Sequence, residues 1–191
     1  MRKICFLLVV SGFLLSSCKT APISTSSSPS PQILGQSSAP VLVEEFSDPQ
    51  CPACGNISPQ VEKIVRANLD VVRLEYYNFP LPYHEYAFIS AEAAECAGDQ
   101  GKFFEYLGTL FANQSSLTED YLYNVADSLK LDRTPFDACL KNHDHKDKIL
   151  AQMAEGNSRK IPGTPSLYVN GQMIKWSDAE TFTGYLKSLA K

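Results

Sequence analysis

The 191-residue sequence has a single C-x-x-C element and three histidines, His84, His143 and His145, none at zinc-finger spacing. A structural zinc site needs four ligands, so a metal reading of the cysteine pair lacks its second half and no metal is expected. A basic stripe is also missing. The 17 Lys and Arg are interspersed with 21 Asp and Glu, the formal net charge is −4, and nucleic acid is excluded as an expected partner. Long apolar runs are scarce: the longest, nearly all apolar, covers positions 4 to 15, twelve residues, where a membrane-spanning helix needs about 20. No sustained heptad pattern is present that would build a dimerising stalk. What the chain does have is 44% hydrophobic and 10% aromatic residues, enough for one buried core, so one folded domain is expected.

The strongest signal is Cys51-Pro52-Ala53-Cys54. Two thiols with two residues between them can close into a disulfide and reopen without moving the backbone, which makes a reversible two-electron switch. The pair follows the apolar run Val41–Phe46 and precedes a helix expected from Pro52 to about Asn68, so Cys51 sits at a strand-to-helix turn. Unpaired N–H groups and the positive helix end there favour a thiolate, which makes Cys51 the expected nucleophile and Cys54 the resolving thiol. Two readings of other classes stand beside this one. A metal or copper chaperone would use the same thiols as ligands, and a surface module would carry them as an inert disulfide.

The N-terminus sets the expected compartment. Arg2 and Lys3 precede the apolar stretch, and Ser16-Ser17 lead into Cys18, the layout of an export signal. Leu15-Ser16-Ser17-Cys18 resembles a bacterial lipobox, which implies removal of residues 1–17, lipidation of Cys18 and a periplasm-facing membrane anchor. The Ser/Pro-rich stretch 18–38 reads as a flexible linker, with the folded domain at 39–191. With Cys5 in the signal and Cys18 lipidated, four cysteines are left. An even number outside the cytoplasm predicts a second, structural disulfide, Cys96–Cys139; the alternative is a pair of buried free thiols.

Periodicity gives the order of elements. Strands are expected at about 41–46 and 71–79 around the Cys51 helix, a β-α-β unit with parallel strands. Helical stripes follow: Ala87–Ala97, then Phe103, Phe104, Leu107, Leu110 and Phe111, then Leu122, Val125, Ala126 and Leu129. Thr134-Pro135 is read as the start of a helix that continues in some form through Ile149 and Met153. Ser166–Val169 and Gln172–Ile174 flank Asn170-Gly171 as a hairpin, and Ser177–Glu180 reads as a capping box opening the last helix.

This order, with C-P-A-C at the first helix, Pro59 eight residues after Cys51, Gly163-Thr164-Pro165 before the late strand, and the run from Asn78-Phe79-Pro80-Leu81 through His84 to Ala94-Glu95-Cys96-Ala97, resembles the DsbA-like thiol-disulfide oxidoreductases of the thioredoxin superfamily. The resemblance covers roughly residues 39–191. It implies an α/β thioredoxin fold with an inserted helical domain at about 84–157, and no cofactor. By the same resemblance Pro165 is a cis-proline packed against the redox pair, and Thr164 and Pro165 bind an extended substrate. Glu45 occupies the place of a buried acid beneath the active site, although the sequence leaves open which of Glu44 and Glu45 points inward. The implied partners are exported cysteine-containing proteins and, through the family alone, a quinone-linked membrane redox protein. Pro52-Ala53 lacks the histidine found between the cysteines of the best-known DsbA, which implies a milder oxidant; reductase or isomerase direction is the alternative.

Overall fold

The computed structural model describes residues 30–190, so the export signal, Cys18 and the first part of the expected linker lie outside the described residues. A five-stranded sheet in the order β1-β3-β2-β4-β5 forms the centre. β2 (Val41–Ser47) and β3 (Val72–Asn78) pair in parallel through α1 (Pro52–Arg66), as a β-α-β connection requires. β4 (Ser166–Val169) runs antiparallel to β2, and β5 (Gln172–Ile174) returns beside it after the Asn170-Gly171 turn. Both turn residues have positive φ, 48° and 79°, as a two-residue hairpin turn of this hand demands. α7 (Ala179–Leu189) closes the chain against α1.

Between β3 and β4 lie five helices: α2 (Ala87–Gly98), α3 (Phe103–Ala112), α4 (Glu119–Ser128), α5 (Arg133–Asn142) and α6 (Lys146–Ser158), with a short 3₁₀ turn at Gln114–Ser116. This is an α/β thioredoxin fold with helices inserted between β3 and β4. Alternation along β2 divides its neighbours. Glu45 and Ser47 reach Ser58 on α1, while Glu44 and Phe46 face Arg159 at the end of α6. The main core, with Val43, Val61, Leu74, Tyr76, Phe103 and Leu110, lies on the α1 side. A second cluster of Phe46, Tyr77, Phe79 and Tyr168 lies on the other.

A buried polar network docks the insertion. Glu95 on α2 is fully buried, and its carboxylate accepts from Asn78 Nδ2 at 2.7 Å, Lys148 Nζ at 2.6 Å and Gln32 Nε2 at 2.5 Å. Gln152 on α6 accepts from both nitrogens of Asn78 and donates to the Ser30 carbonyl. An unpaired carboxylate at this depth would be strongly destabilising, so its three donors are structural requirements.

Three expectations need correction. The linker read through residue 38 ends earlier, because Gln32–Leu34 forms β1, an antiparallel edge strand on β3. Three residues without clear alternation leave no periodic signal, and the strand is held by its partner and by the side-chain bond from Gln32. The helix expected to run from Thr134 through Met153 is two helices. Asp132 is the N-cap of the first, accepting from Thr134 N, and His143 ends it in the left-handed region at φ 57°. In the last helix the cap is Asp178, bonded to Thr181 N, one residue beyond Ser177.

Candidate active site

Cys51 is the N-cap of α1, with extended backbone (φ −71°, ψ 122°), and Pro52 fills the first helical position, where its missing N–H is not needed. Both cysteines are free thiols in this structure, in unequal settings: Cys54 is fully enclosed while Cys51 retains a small exposed edge. Cys54's thiol donates to the Cys51 sulfur, and the N–H groups of Cys54 and Ala53 add to it, outweighing the cost of burial. Together they bring Cys51 down to about 5 from an ordinary 9. Burial, and then the neighbouring Cys51, push Cys54 far the other way. One sulfur is set up to attack and to leave, the other to hold its proton.

Thr164 and Pro165 are joined by a cis peptide bond, and the Thr164 carbonyl lies 3.4 Å from the Cys51 sulfur. The redox pair therefore faces the start of β4 across a sequence separation of more than a hundred residues. A groove lined by Pro165, Leu167, Met173, Ile174 and Trp176 leads away from this point along the β4–β5 hairpin.

Beneath the pair, Glu45 is fully buried and accepts a hydrogen bond from Ser58 Oγ, which is itself 3.0 Å from Ser47 Oγ. Burial raises Glu45 to about 7 from 4.5, against the opposing pull of these two hydroxyls. Ser47 also bonds to the Cys54 sulfur. A line of hydroxyls thus connects the resolving thiol to a carboxyl group that titrates near neutrality. The ambiguity between the two acids has a structural answer: Glu45 faces the cysteines, and Glu44 turns away to pair with Arg159 at 2.7 Å.

Several residues of the site carry no signal in the sequence. Asp48, fully buried, accepts from Gln50 N, Leu81 N and the His84 ring, the last at 2.7 Å. Gln50 accepts from Tyr86 N, and Gln114 Nε2 donates to the carbonyls of Pro49 and Cys51. Short polar loops do not announce such partners, although a glycine in the first turn of α1 is a local oddity that hints at one. The other two histidines lie elsewhere, His143 against Glu92 and His145 against Asp99. His145 is only 18% exposed. The structure joins Cys96 and Cys139 by a disulfide, beside His145. These three form a metal-sized donor group, but with both sulfurs bonded to each other only the imidazole is free to ligate.

A C-x-x-C pair at the start of the first helix, facing a cis-proline that opens an antiparallel strand, defines a thioredoxin-type dithiol centre. The family model described as thioredoxin matches residues 27–188, and the chain belongs to that family. Among curated proteins, the Na(+)/H(+) antiporter NhaA 1 of Salinispora arenicola is 35% identical over 141 residues, 73% of this chain and 22% of the antiporter. The chain spans about a fifth of the length of the curated relatives it matches. Among solved structures, α-DsbA1 of Wolbachia pipientis superposes with a TM-score of 0.73 at 21% identity, covering 85% of this chain and 92% of that one. Oxidised BdbD of Bacillus subtilis gives 0.72 at 22% identity, covering 86% and 95%. The fold is that of the DsbA-like oxidoreductases.

Proposed function

We propose that the protein is a thiol-disulfide oxidoreductase that exchanges disulfides with exported cysteine-containing proteins and works as a mild dithiol oxidase. The observation that carries this reading is the inequality of the two sulfurs. In the oxidised enzyme a substrate thiolate attacks Cys51 at the exposed edge, the Cys51–Cys54 bond breaks, and a mixed disulfide forms. Cys54 leaves and takes up one proton, for which Glu45 is the donor through Ser58 and Ser47. A second substrate thiolate then attacks the substrate sulfur of the mixed disulfide and Cys51 departs as a thiolate. Two substrate thiols become one disulfide, and the enzyme disulfide becomes a dithiol.

Thr164 and Pro165 are assigned to substrate binding, pairing with an extended segment through backbone groups, which accepts many sequences. The mild character follows from Pro52-Ala53: the helix end and Cys54 stabilise the Cys51 thiolate without an imidazole between the cysteines. Export and anchoring through Cys18 rest on the lipobox-like sequence, and a quinone-linked partner that would reoxidise the dithiol rests on the family resemblance. Among the described residues no helix is long and apolar enough to cross a membrane, which is compatible with attachment by lipid.

The test is capture of substrate by a Cys54→Ala variant in the host. Mixed disulfides through Cys51 are expected, released by dithiothreitol and missing in the Cys51→Ala, Cys54→Ala double variant. No captured species, together with a Cys51 thiol in the wild-type protein that titrates near 9, would sink the proposal.

A further inference from the structure

The insertion reaches the backbone carbonyls of Pro49 and Cys51 through one side chain. Gln114, in the 3₁₀ turn between α3 and α4, directs both hydrogens of its amide into that turn, 3.0 Å to the Pro49 carbonyl and 2.8 Å to the Cys51 carbonyl. The Cys51 carbonyl is also the first acceptor of α1, taking Gly55 N–H at 3.0 Å. Gln114 therefore ties together the residue that leads into the turn and the nucleophile's own peptide group.

Gly55 shows that this seat is built for the amide. A Cβ at position 55 would lie 2.4 Å from Gln114 Oε1, 2.7 Å from Cδ and 2.9 Å from Nε2, well inside contact distance. Glycine inside a helix costs about 0.5–1 kcal/mol relative to alanine. Position 55 carries that cost, and the amide of Gln114 lies flat where the missing methyl would be. The hydrogen bonds and the vacant Cβ position are separate observations, one of polar geometry and one of shape, and both point to the same side chain.

We propose that Gln114 is a positioning residue for disulfide exchange: seated on Gly55, its amide fixes the Cys51 carbonyl and keeps the Ala53 and Cys54 N–H groups aimed at the Cys51 sulfur. The assignment rests on Cys51 being the nucleophile and adds that the helical insertion controls how readily that sulfur ionises. With the clamp released, the 49–51 segment can rotate and the first-turn N–H groups lose their line to the sulfur. Less thiolate is the consequence.

Two substitutions release the clamp by different routes. Gln114→Met keeps the length and removes both donors; Gly55→Ala leaves Gln114 intact but evicts its amide, a small movement at the end of a flexible side chain. The readout is the pH dependence of Cys51 alkylation by iodoacetamide, with Cys54 and unfolding monitored separately. Each variant should lower the thiolate fraction at pH 5 by about 3- to 10-fold, the size of one or two lost hydrogen bonds. The double variant should equal either single variant, because both act on one contact. An unchanged Cys51 titration in the two single variants, whatever happens to their melting temperatures, would reduce Gln114 to a packing residue and overturn the proposal. Additive effects in the double variant would overturn the shared seat. A wild-type Cys51 that titrates near 9 would instead strike the oxidoreductase reading itself, so the two failures are told apart.

Discussion

At the scale of single residues the site is a set of displaced titrations, each with a visible cause. Glu45 is the clearest, since burial lifts its carboxyl to about 7 and the sign of the consequence is fixed. A group whose folded pKa is raised stabilises the fold fully below its unfolded value and loses that contribution as pH rises through the folded value. In the oxidised protein, where the active-site thiols do not titrate, stability should therefore fall between about pH 4.5 and 7, by roughly 3 kcal/mol. Glu45→Gln should abolish this slope and leave the variant the more stable form at pH 8, measured by urea unfolding of the oxidised proteins. A slope that persists in Glu45→Gln would assign it to another group. The sequence displayed two adjacent acids in β2 and offered no means of choosing between them. Their opposite faces became decisive only when α1 brought Ser58 to one and α6 brought Arg159 to the other.

Among the elements, α6 is the helix that the sequence described least well. Its apolar stripe is weak because its role is shared: Ile149 and Gln152 are buried, and Gly156 presses on aromatic rings of the second cluster. A Cβ at Gly156 would meet Phe79 ring carbons at 2.7 Å and Phe46 at 3.2 Å. Gly184 in α7 has nothing within 4 Å of the same position. The two glycines should thus respond to alanine with opposite signs. Gly184→Ala should stabilise by about 0.5–1 kcal/mol through helix propensity, and Gly156→Ala should destabilise by about 1–2 kcal/mol as overpacking exceeds that gain. Thermal unfolding of the two variants checks the pair of signs; stabilisation by both would show that the Phe79 ring yields freely. Elements with a long, regular stripe, such as α3 with Phe103, Phe104, Leu107, Leu110 and Phe111, were legible within a residue or so. The Asn170-Gly171 hairpin was equally plain, because that dipeptide suits the turn by backbone sterics alone. β1 was not legible: three residues carry no period, and what holds them is β3 together with Glu95, more than sixty positions away.

Over the whole molecule, two kinds of link join the insertion to the sheet domain and steady it internally. The Glu95 network supplies polar docking, and the Cys96–Cys139 disulfide ties α2 to α5 across 43 residues. A loop of that length is stabilised by roughly 4 kcal/mol in the chain-entropy account of cross-linking. A Cys96→Ala, Cys139→Ala protein should therefore unfold at lower urea with a loss of about 2–4 kcal/mol, while Cys51 keeps its low titration midpoint because the two sites are separate. An unchanged unfolding midpoint would mean that the cross-link does little to hold the insertion. The pairing was accessible from cysteine arithmetic, whereas the polar docking was not, since nothing in Glu95, Asn78 or Lys148 taken singly marks it as buried.

One arrangement bears on how this centre could be transplanted. Asp48 is bracketed by Leu81 and His84, Gln50 by Tyr86, and the Cys51 carbonyl by Gln114. Grafting the C-P-A-C tetrapeptide onto a bare thioredoxin scaffold would move the sulfurs and leave every one of these brackets behind. On the positioning role proposed for Gln114, a donor segment must bring both lobes to carry the reactivity of the pair with it.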